Sequence, residues 1–165
     1  GARIRRNPDS VEIALTRFVE TDRETVWTML TDPDRLKDWL APGTLDARPG
    51  GRVQLDFSAS GTSIDSEVYL CEPPELLEFS WSHGDEPRRP VRWVLYPEGA
   101  GTRVDLSVTI PPDEDVAKTA AGWDTHLEML LAALAGVPIS FPVARFKETR
   151  QAVAEDLNTP DQASA

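Results

Sequence analysis

Residues 102–136 read TRVDLSVTIPPDEDVAKTAAGWDTHLEMLLAALAG, and the spacing of their apolar side chains changes partway along. Up to Ile110 every second residue is apolar, which is typical of a strand with one buried face. After PPDED the apolar residues recur every three or four positions, as on the core-facing side of a helix. We therefore predict a strand that ends near residue 110 and a long helix near 114–135, with Gly136 as its stop.

The same strand pattern occurs upstream of residue 102. Four earlier runs alternate apolar and polar residues and are separated by turn residues such as Gly and Pro. These runs are RVQLDFSAS (52–60), TSIDSEVYL (62–70), LLEFSWSH (76–83) and VRWVLYP (91–97). Because each run has one apolar face, the sequence predicts an antiparallel meander that is packed on one side only.

The segments on either side of the meander complete the predicted elements. VEIALTRFV (11–19) predicts a first strand, and two short helices follow it. The first helix begins with a capping box of Thr21 and Glu24, and the second begins after Asp32. PVARFKETRQAVAEDL (142–157) has apolar residues on one side and predicts an extra C-terminal helix.

The order of these elements predicts an α+β fold with one domain over residues 11–157. A curved antiparallel sheet of about six strands would wrap around the long helix, which is the only element large enough to cover its apolar face. We expect a flexible N terminus over residues 1–10 and a disordered tail over 158–165.

The charge balance limits the classes of partner. The chain has 17 Lys and Arg against 28 Asp and Glu, a formal net charge of −11. This acidity argues against nucleic acid and against an anionic membrane surface. The sequence contains no run of about 20 apolar residues, and its one cysteine, Cys71, cannot form an internal disulfide. We therefore expect a cytoplasmic protein that binds neither nucleic acid nor membranes.

Residues for conventional catalysis or metal binding are scarce. The two histidines and Cys71 lie in distant parts of the chain without ligand spacing, so we predict no metal site and no cofactor. Asp124 and His126 are two positions apart on the predicted helix, so their side chains point in different directions and cannot form a catalytic pair. We expect Asp124 to face water. The sequence leaves open whether His126 is a structural residue or contacts a ligand.

The apolar patterns of the strands and the helix place three tryptophans toward the space between sheet and helix: Trp81, Trp93 and Trp123. Large rings with a polar N–H group line a pocket as readily as they fill a core. The sequence does not decide between these two interpretations.

Five segments in this order resemble a known family. They are TVWTMLTDPDRLKDWL (25–40), PGGRVQLDF (49–57), EVYLCEPPELLEFSW (67–81), VRWVLYPEGAGTRVDLSVT (91–109) and GWDTHLEMLLAAL (122–134). Together they are similar to the bacterial single-domain members of the activator-of-heat-shock-protein-90-ATPase homologue family, in the START-like SRPBCC superfamily. The resemblance covers residues 11–135 and implies the helix-grip fold, an antiparallel sheet wrapped around a long C-terminal helix.

The resemblance also implies a function, because the superfamily binds hydrophobic small molecules, lipids among them, in a cavity between sheet and helix. By position in the family, the lining residues would be Trp39, Phe57, Trp81, Trp93, Trp123 and His126, with Leu127 and Leu130 beside them on the helix. We predict binding of a small hydrophobic or aromatic ligand without catalysis. One alternative is a chaperone-related domain of the stress response that binds a protein partner or forms a homodimer. Another is an enzyme like the polyketide cyclases or hydrolases, with His126 as acid or base.

Overall fold

One antiparallel sheet of eight strands forms the body of the protein, with the strand order β1-β2-β8-β7-β6-β5-β4-β3. The computed structural model describes residues 1–57 and 62–159. The strands are β1 (Arg3–Arg6), β2 (Val11–Val19), β3 (Gly43–Leu45), β4 (Arg52–Phe57), β5 (Thr62–Glu72), β6 (Leu76–Ser80), β7 (Pro90–Glu98) and β8 (Gly101–Ile110). The helices are α1 (Arg23–Thr31), α2 (Pro33–Leu36), α3 (Val116–Leu134) and α4 (Val143–Leu157).

The core lies between the sheet and α3. Alternate residues of the central strands are buried, among them Trp93 on β7 and Leu106 on β8. Helix α3 contributes Ala120, Leu127 and Leu130, which are fully buried and recur at helical spacing. The predicted meander and long helix are therefore confirmed.

The N terminus differs from the prediction. Residues 1–10 were expected to be flexible, but Arg3–Arg6 forms β1 and pairs antiparallel with the start of β2. Ile4 is partly buried and packs against the core, while the three arginines around it are exposed. Four residues are too short a run for an alternating pattern to stand out, which is why β1 was missed.

A second unpredicted strand, β3, raises the count from the expected six to eight. The sequence APG around Gly43 was interpreted only as the end of a helix. In the structure Gly43 pairs with Leu55 of β4, and a Cβ atom at this position would overlap the carbonyl oxygen of Gln54. Gly43 therefore permits the close approach of the two backbones, in addition to following the short helix.

A shift of register within β5 moves one apolar residue to the outside. The alternating pattern places Val68 and Leu70 on the same buried face, but the pairing with β6 shifts between these two residues. Val68 is buried and Leu70 is exposed. The alternation of apolar and polar residues in the sequence does not reveal such a β-bulge.

The beginning of α1 also differs from the prediction. The N-cap is Asp22 rather than Thr21, and the expected capping box with Glu24 does not form. Instead, the Thr25 hydroxyl donates to the Asp22 carboxylate at 2.5 Å. The predicted start of α2 is confirmed, because the Asp32 side chain accepts the backbone N–H of Asp34 at 2.9 Å.

The buried carboxylate of Asp124 ties α3 to both β2 and α4, so the expectation that it faces water is wrong. It accepts from Arg17 Nη2 on β2 at 2.6 Å, from Arg145 Nε on α4 at 3.1 Å and from Thr149 Oγ1 at 3.4 Å. Glu128, one turn along α3, lies 3.2 Å from Arg145. The prediction failed because α4 covers this side of α3, and the pattern of α3 alone carries no information about α4.

Two predicted segments extend past the described part of the chain. The strand predicted over 52–60 is observed as far as Phe57, and residues 58–60 lie outside the described residues. At the C terminus, the backbone N–H groups of Asn158 and Thr159 donate to the last turn of α4. The rest of the predicted disordered tail, 160–165, lies outside the described residues.

Candidate functional site

A row of aromatic rings runs between the sheet and α3. Trp39 and Trp93 are in edge-to-face contact with ring centroids 5.6 Å apart, and Trp93 lies 6.3 Å from Trp123. Trp123 contacts Trp81 at 4.8 Å, and Trp81 contacts Phe57 at 5.4 Å. Edge-to-face pairs of this kind are favourable, and together they connect the two ends of the row.

Burial divides this row into two parts. Trp39, Trp93 and Trp123 are at most 4% exposed and belong to the core. The indole N–H of Trp39 donates to the carbonyl of Met29 at 2.8 Å, so its polar atom is satisfied within the fold. Phe57 and Trp81, at the other end of the row, are only partly buried.

His126 joins the partly buried end of the row. Its ring lies 5.9 Å from Trp123, one turn earlier on α3, and 6.3 Å from Phe57 at the end of β4. Phe57 and Trp81 each lie two residues after a buried apolar residue, Leu55 on β4 and Phe79 on β6, so each is placed on the same face of the sheet as that residue. Phe57, Trp81 and His126 therefore form one surface, which we name the aromatic rim.

The hydrogen bond of His126 fixes its tautomer. Nδ1 lies 2.9 Å from the carbonyl oxygen of Trp39. Because a carbonyl only accepts, Nδ1 carries the proton, and Nε2 of the neutral ring has a free lone pair. Within the described residues Nε2 has no hydrogen-bond partner. Burial lowers the pKa of His126, against the smaller opposing effect of the bond to Trp39, so the ring is neutral at pH 7.

The lowered pKa of His126 gives the stability of the protein a defined dependence on pH. Since the unfolded chain binds this proton more readily, the contribution of His126 is fully present above its ordinary pKa of about 6.5 and is lost as the pH falls below it. We expect the free energy of unfolding to drop more between about pH 7.5 and about pH 5.5 in the wild type than in His126→Gln. Urea denaturation at each pH measures this, with His83→Gln at the exposed histidine as the control. Equal drops in wild type and His126→Gln would contradict the assignment.

Phe141 lies against the His126 end of the aromatic rim. This residue belongs to the segment 136–142 between α3 and α4, and its ring lies 5.6 Å from His126. Phe146, in the first turn of α4, contacts Phe141 at 5.6 Å. Phe141 is itself 39% exposed, so its contact with His126 lies at the protein surface.

Two concave surfaces among residues 1–57 and 62–159 lie away from the rim. One, of about 310 Å³, lies between Arg6, the start of α3 and the end of α4. The other, of about 230 Å³, lies on the outer face of the sheet beside Glu78 and Arg92. Phe141 is in ring contact with His126, so a ligand that stacks on this side of His126 would have to displace Phe141.

Comparison with known proteins identifies the family. A sequence profile described as "Activator of Hsp90 ATPase homolog 1-like protein" matches residues 20–135. The chain belongs to this family. The resemblance drawn from the sequence is thus confirmed, over slightly fewer residues at the N-terminal side. No curated protein sequence matches the chain.

Solved structures of similar proteins confirm the helix-grip fold of this family member. CalU16 from Micromonospora echinospora is 25% identical with a TM-score of 0.79, covering 96% of this chain and 97% of CalU16. A protein from Bordetella parapertussis, encoded by gene BPP1335, is 27% identical with a TM-score of 0.71, covering 92% and 86%. DynU16, from the dynemicin biosynthetic locus, is 27% identical with a TM-score of 0.69 over 77% of this chain. This chain spans about half of DynU16, since the match covers 48% of that protein.

The structure places most of the predicted site residues close together, but they differ in how deeply they are buried. The fully buried ones are Trp39, Trp93, Trp123, Leu127 and Leu130, and the partly buried ones are Phe57, Trp81 and His126. Sequence reasoning missed Phe141 as a site residue, because it lies in a segment that was interpreted only as a loop. The one available signal was an aromatic residue between two prolines, in PISFP (138–142), directly before α4.

Few groups in the described part of the chain suggest other chemistry. There, no group of three or more His, Cys, Asp or Glu side chains is arranged to hold a metal ion. Burial raises the pKa of the Cys71 thiol, which disfavours the reactive thiolate. No helix among the described residues is long and apolar enough to cross a membrane.

Proposed function

We propose that this protein binds a small aromatic or hydrophobic ligand at the aromatic rim, with Phe141 displaced. One observation supports this proposal most strongly: the rim combines partly buried rings with a neutral histidine. Nε2 of that histidine has no hydrogen-bond partner in the described residues. Binding sites for small molecules are typically apolar surfaces with a few well-placed polar groups. The rim has both features, and Phe141 lies against its histidine.

The chemistry of the rim favours a flat aromatic ligand with a hydroxyl group. Trp81 is a partly buried ring on which an aromatic ligand can stack, and Phe141 already occupies such a position against His126. A phenolic hydroxyl in place of Phe141 would donate to Nε2 of His126, which accepts because Nδ1 is committed to the Trp39 carbonyl. The origin of DynU16 in a biosynthetic locus is consistent with a small-molecule ligand in this family.

Quenching of tryptophan fluorescence tests this proposal, with a panel of fatty acids, sterols and planar polyphenols. We expect saturable quenching by a polyphenol and a dissociation constant raised about fivefold in Trp81→Phe, because one aromatic contact is worth about 1 kcal/mol. Trp27→Phe is the matched control, since Trp27 lies on α1 and is not part of the aromatic row. The proposal fails if none of the three classes quenches, or if Trp81→Phe and Trp27→Phe bind equally well.

Protein interaction is a second candidate function, and a different observation favours it. Four apolar residues at alternate positions between α3 and the start of α4 are exposed: Val137, Ile139, Phe141 and Val143. Adjacent exposed apolar side chains often mark a contact with another protein. If no ligand class quenches the tryptophans, a partner protein or a second copy of the chain becomes the better explanation of this segment.

Catalysis by His126 is a third candidate, favoured by the lowered pKa of its ring. A neutral Nε2 at pH 7 is able to accept a proton from a bound substrate. The variant His126→Gln separates this candidate from simple binding: loss of turnover with binding intact would support it, and unchanged turnover would exclude it.

A further inference from the structure

Helix α4 lies outside the family match, which ends at residue 135. It buries little apolar surface: no residue of α4 is fully buried, and only Phe146, Val153 and Leu157 among its large apolar residues are partly buried. A helix that is held by so little apolar area depends on other contacts for its position.

Ion pairs supply those contacts. Arg145 donates to the buried carboxylate of Asp124 with Nε at 3.1 Å and lies 3.2 Å from Glu128. Thr149, one turn later on α4, adds a hydrogen bond to Asp124, and Arg150 pairs with Asp115 at 2.7 Å. Asp124 is also held by Arg17 of β2, so Arg145 binds a carboxylate that is already fixed in the core. Hydrogen bonds to a fixed, poorly hydrated charge are stronger than those between two mobile surface groups.

The same end of α4 positions the cover of the aromatic rim. Phe146 is one residue after Arg145 and contacts Phe141, which in turn contacts His126. The segment between the helices begins with Gly136, whose φ is +81°, and Val137 and Ile139 within it are exposed. Phe141, by contrast, has a ring contact with His126 in the body of the protein.

We propose that α4 and the segment 136–142 form a movable cover over the aromatic rim, and that the Arg145–Asp124 contact is the latch that holds it closed. Release of the latch lets Phe141 leave His126 and opens the rim. The biological purpose of the cover, admission of a ligand, rests on the proposed function. The motion itself does not depend on any ligand.

Modification of histidine by diethyl pyrocarbonate tests the latch directly. The chain has two histidines, so the exposed His83 serves as an internal reference for His126. In Arg145→Ala we expect the rate at His126, followed by mass spectrometry of the two histidine peptides, to rise about tenfold, as for the loss of one charged hydrogen bond. The rate at His83 is expected to stay constant.

The matched control is Lys147→Ala, which removes the same charge from an exposed position on α4 that has no ion pair among the described residues. Equal rates at His126 in the wild type, Arg145→Ala and Lys147→Ala would overturn the latch. Phe141→Ala provides a second test with the latch intact: it should also accelerate modification of His126, and an unchanged rate would show that Phe141 is not the cover. The modification experiment contains no ligand. If His126 becomes more reactive in Arg145→Ala while no ligand class quenches the tryptophan fluorescence, the movable cover is supported and the proposed function is rejected.

Discussion

Replacement of Asp124 by alanine is expected to lower the free energy of unfolding by about 3 kcal/mol. The carboxylate has a side-chain exposure of 9% and pairs with Arg17, whose side chain is 17% exposed. Removing one partner of such a pair leaves the other charge buried without compensation, and this cost exceeds the value of the lost contact itself. Glu128, at 3.8 Å from Arg17, compensates in part, which places the expected loss at the lower end of the usual range.

Urea denaturation of the wild type and three variants measures this loss. Asp124→Asn keeps the size of the side chain and removes only its charge, so a similar loss in Asp124→Asn and Asp124→Ala would assign the effect to charge. Glu75→Ala, which removes the exposed partner of Arg23, is the control and is expected to lose less than about 1 kcal/mol. A loss in Asp124→Ala no larger than that in Glu75→Ala would contradict the account of this network.

Replacement of Trp93 by alanine is expected to cost about 4 kcal/mol, whereas the same change at Trp81 is expected to cost about 2 kcal/mol. Trp93 is 1% exposed and contacts both Trp39 and Trp123, so its removal leaves a cavity in the core. Trp81 is partly buried at the rim, where solvent or Phe141 is able to fill part of the space.

Chemical denaturation of Trp93→Ala and Trp81→Ala compares these two positions on one scale. The difference between them matters more than either value, because it reports whether the row of rings has a core end and a surface end. Equal losses would mean that Trp81 is as much a core residue as Trp93, and would remove the physical basis for a binding surface at the rim.

The features that the sequence predicted correctly are those that depend on periodicity. The inward positions of Trp93 and Trp123 follow from their places in an alternating strand and a helical repeat, because one face of each element must be buried. The stop of α3 at Gly136 was also predicted, and the structure has the two backbone hydrogen bonds, from Gly136 to Ala133 and from Val137 to Ala132, that close such a helix end.

The features that the sequence missed depend on contacts between distant segments. Leu70 is exposed because of a bulge that depends on the partner strand, and Asp124 is buried because α4 packs beside it. The division of the aromatic row into core and rim was equally inaccessible. Whether a ring is 4% exposed, as Trp123 is, or partly exposed, as Trp81 is, depends on neighbours from other elements.

The central claim is that the aromatic rim binds an aromatic ligand next to His126. Proton NMR of the two histidine rings during titration with a planar polyphenol tests it most directly, since His126 lies in the rim and His83 is exposed and is not one of the rim residues. The account predicts saturable shifts of the His126 ring signals, from the ring current of the ligand and the bond to Nε2, with the His83 signals unmoved. Unchanged His126 signals at ligand concentrations that saturate fluorescence quenching would contradict it.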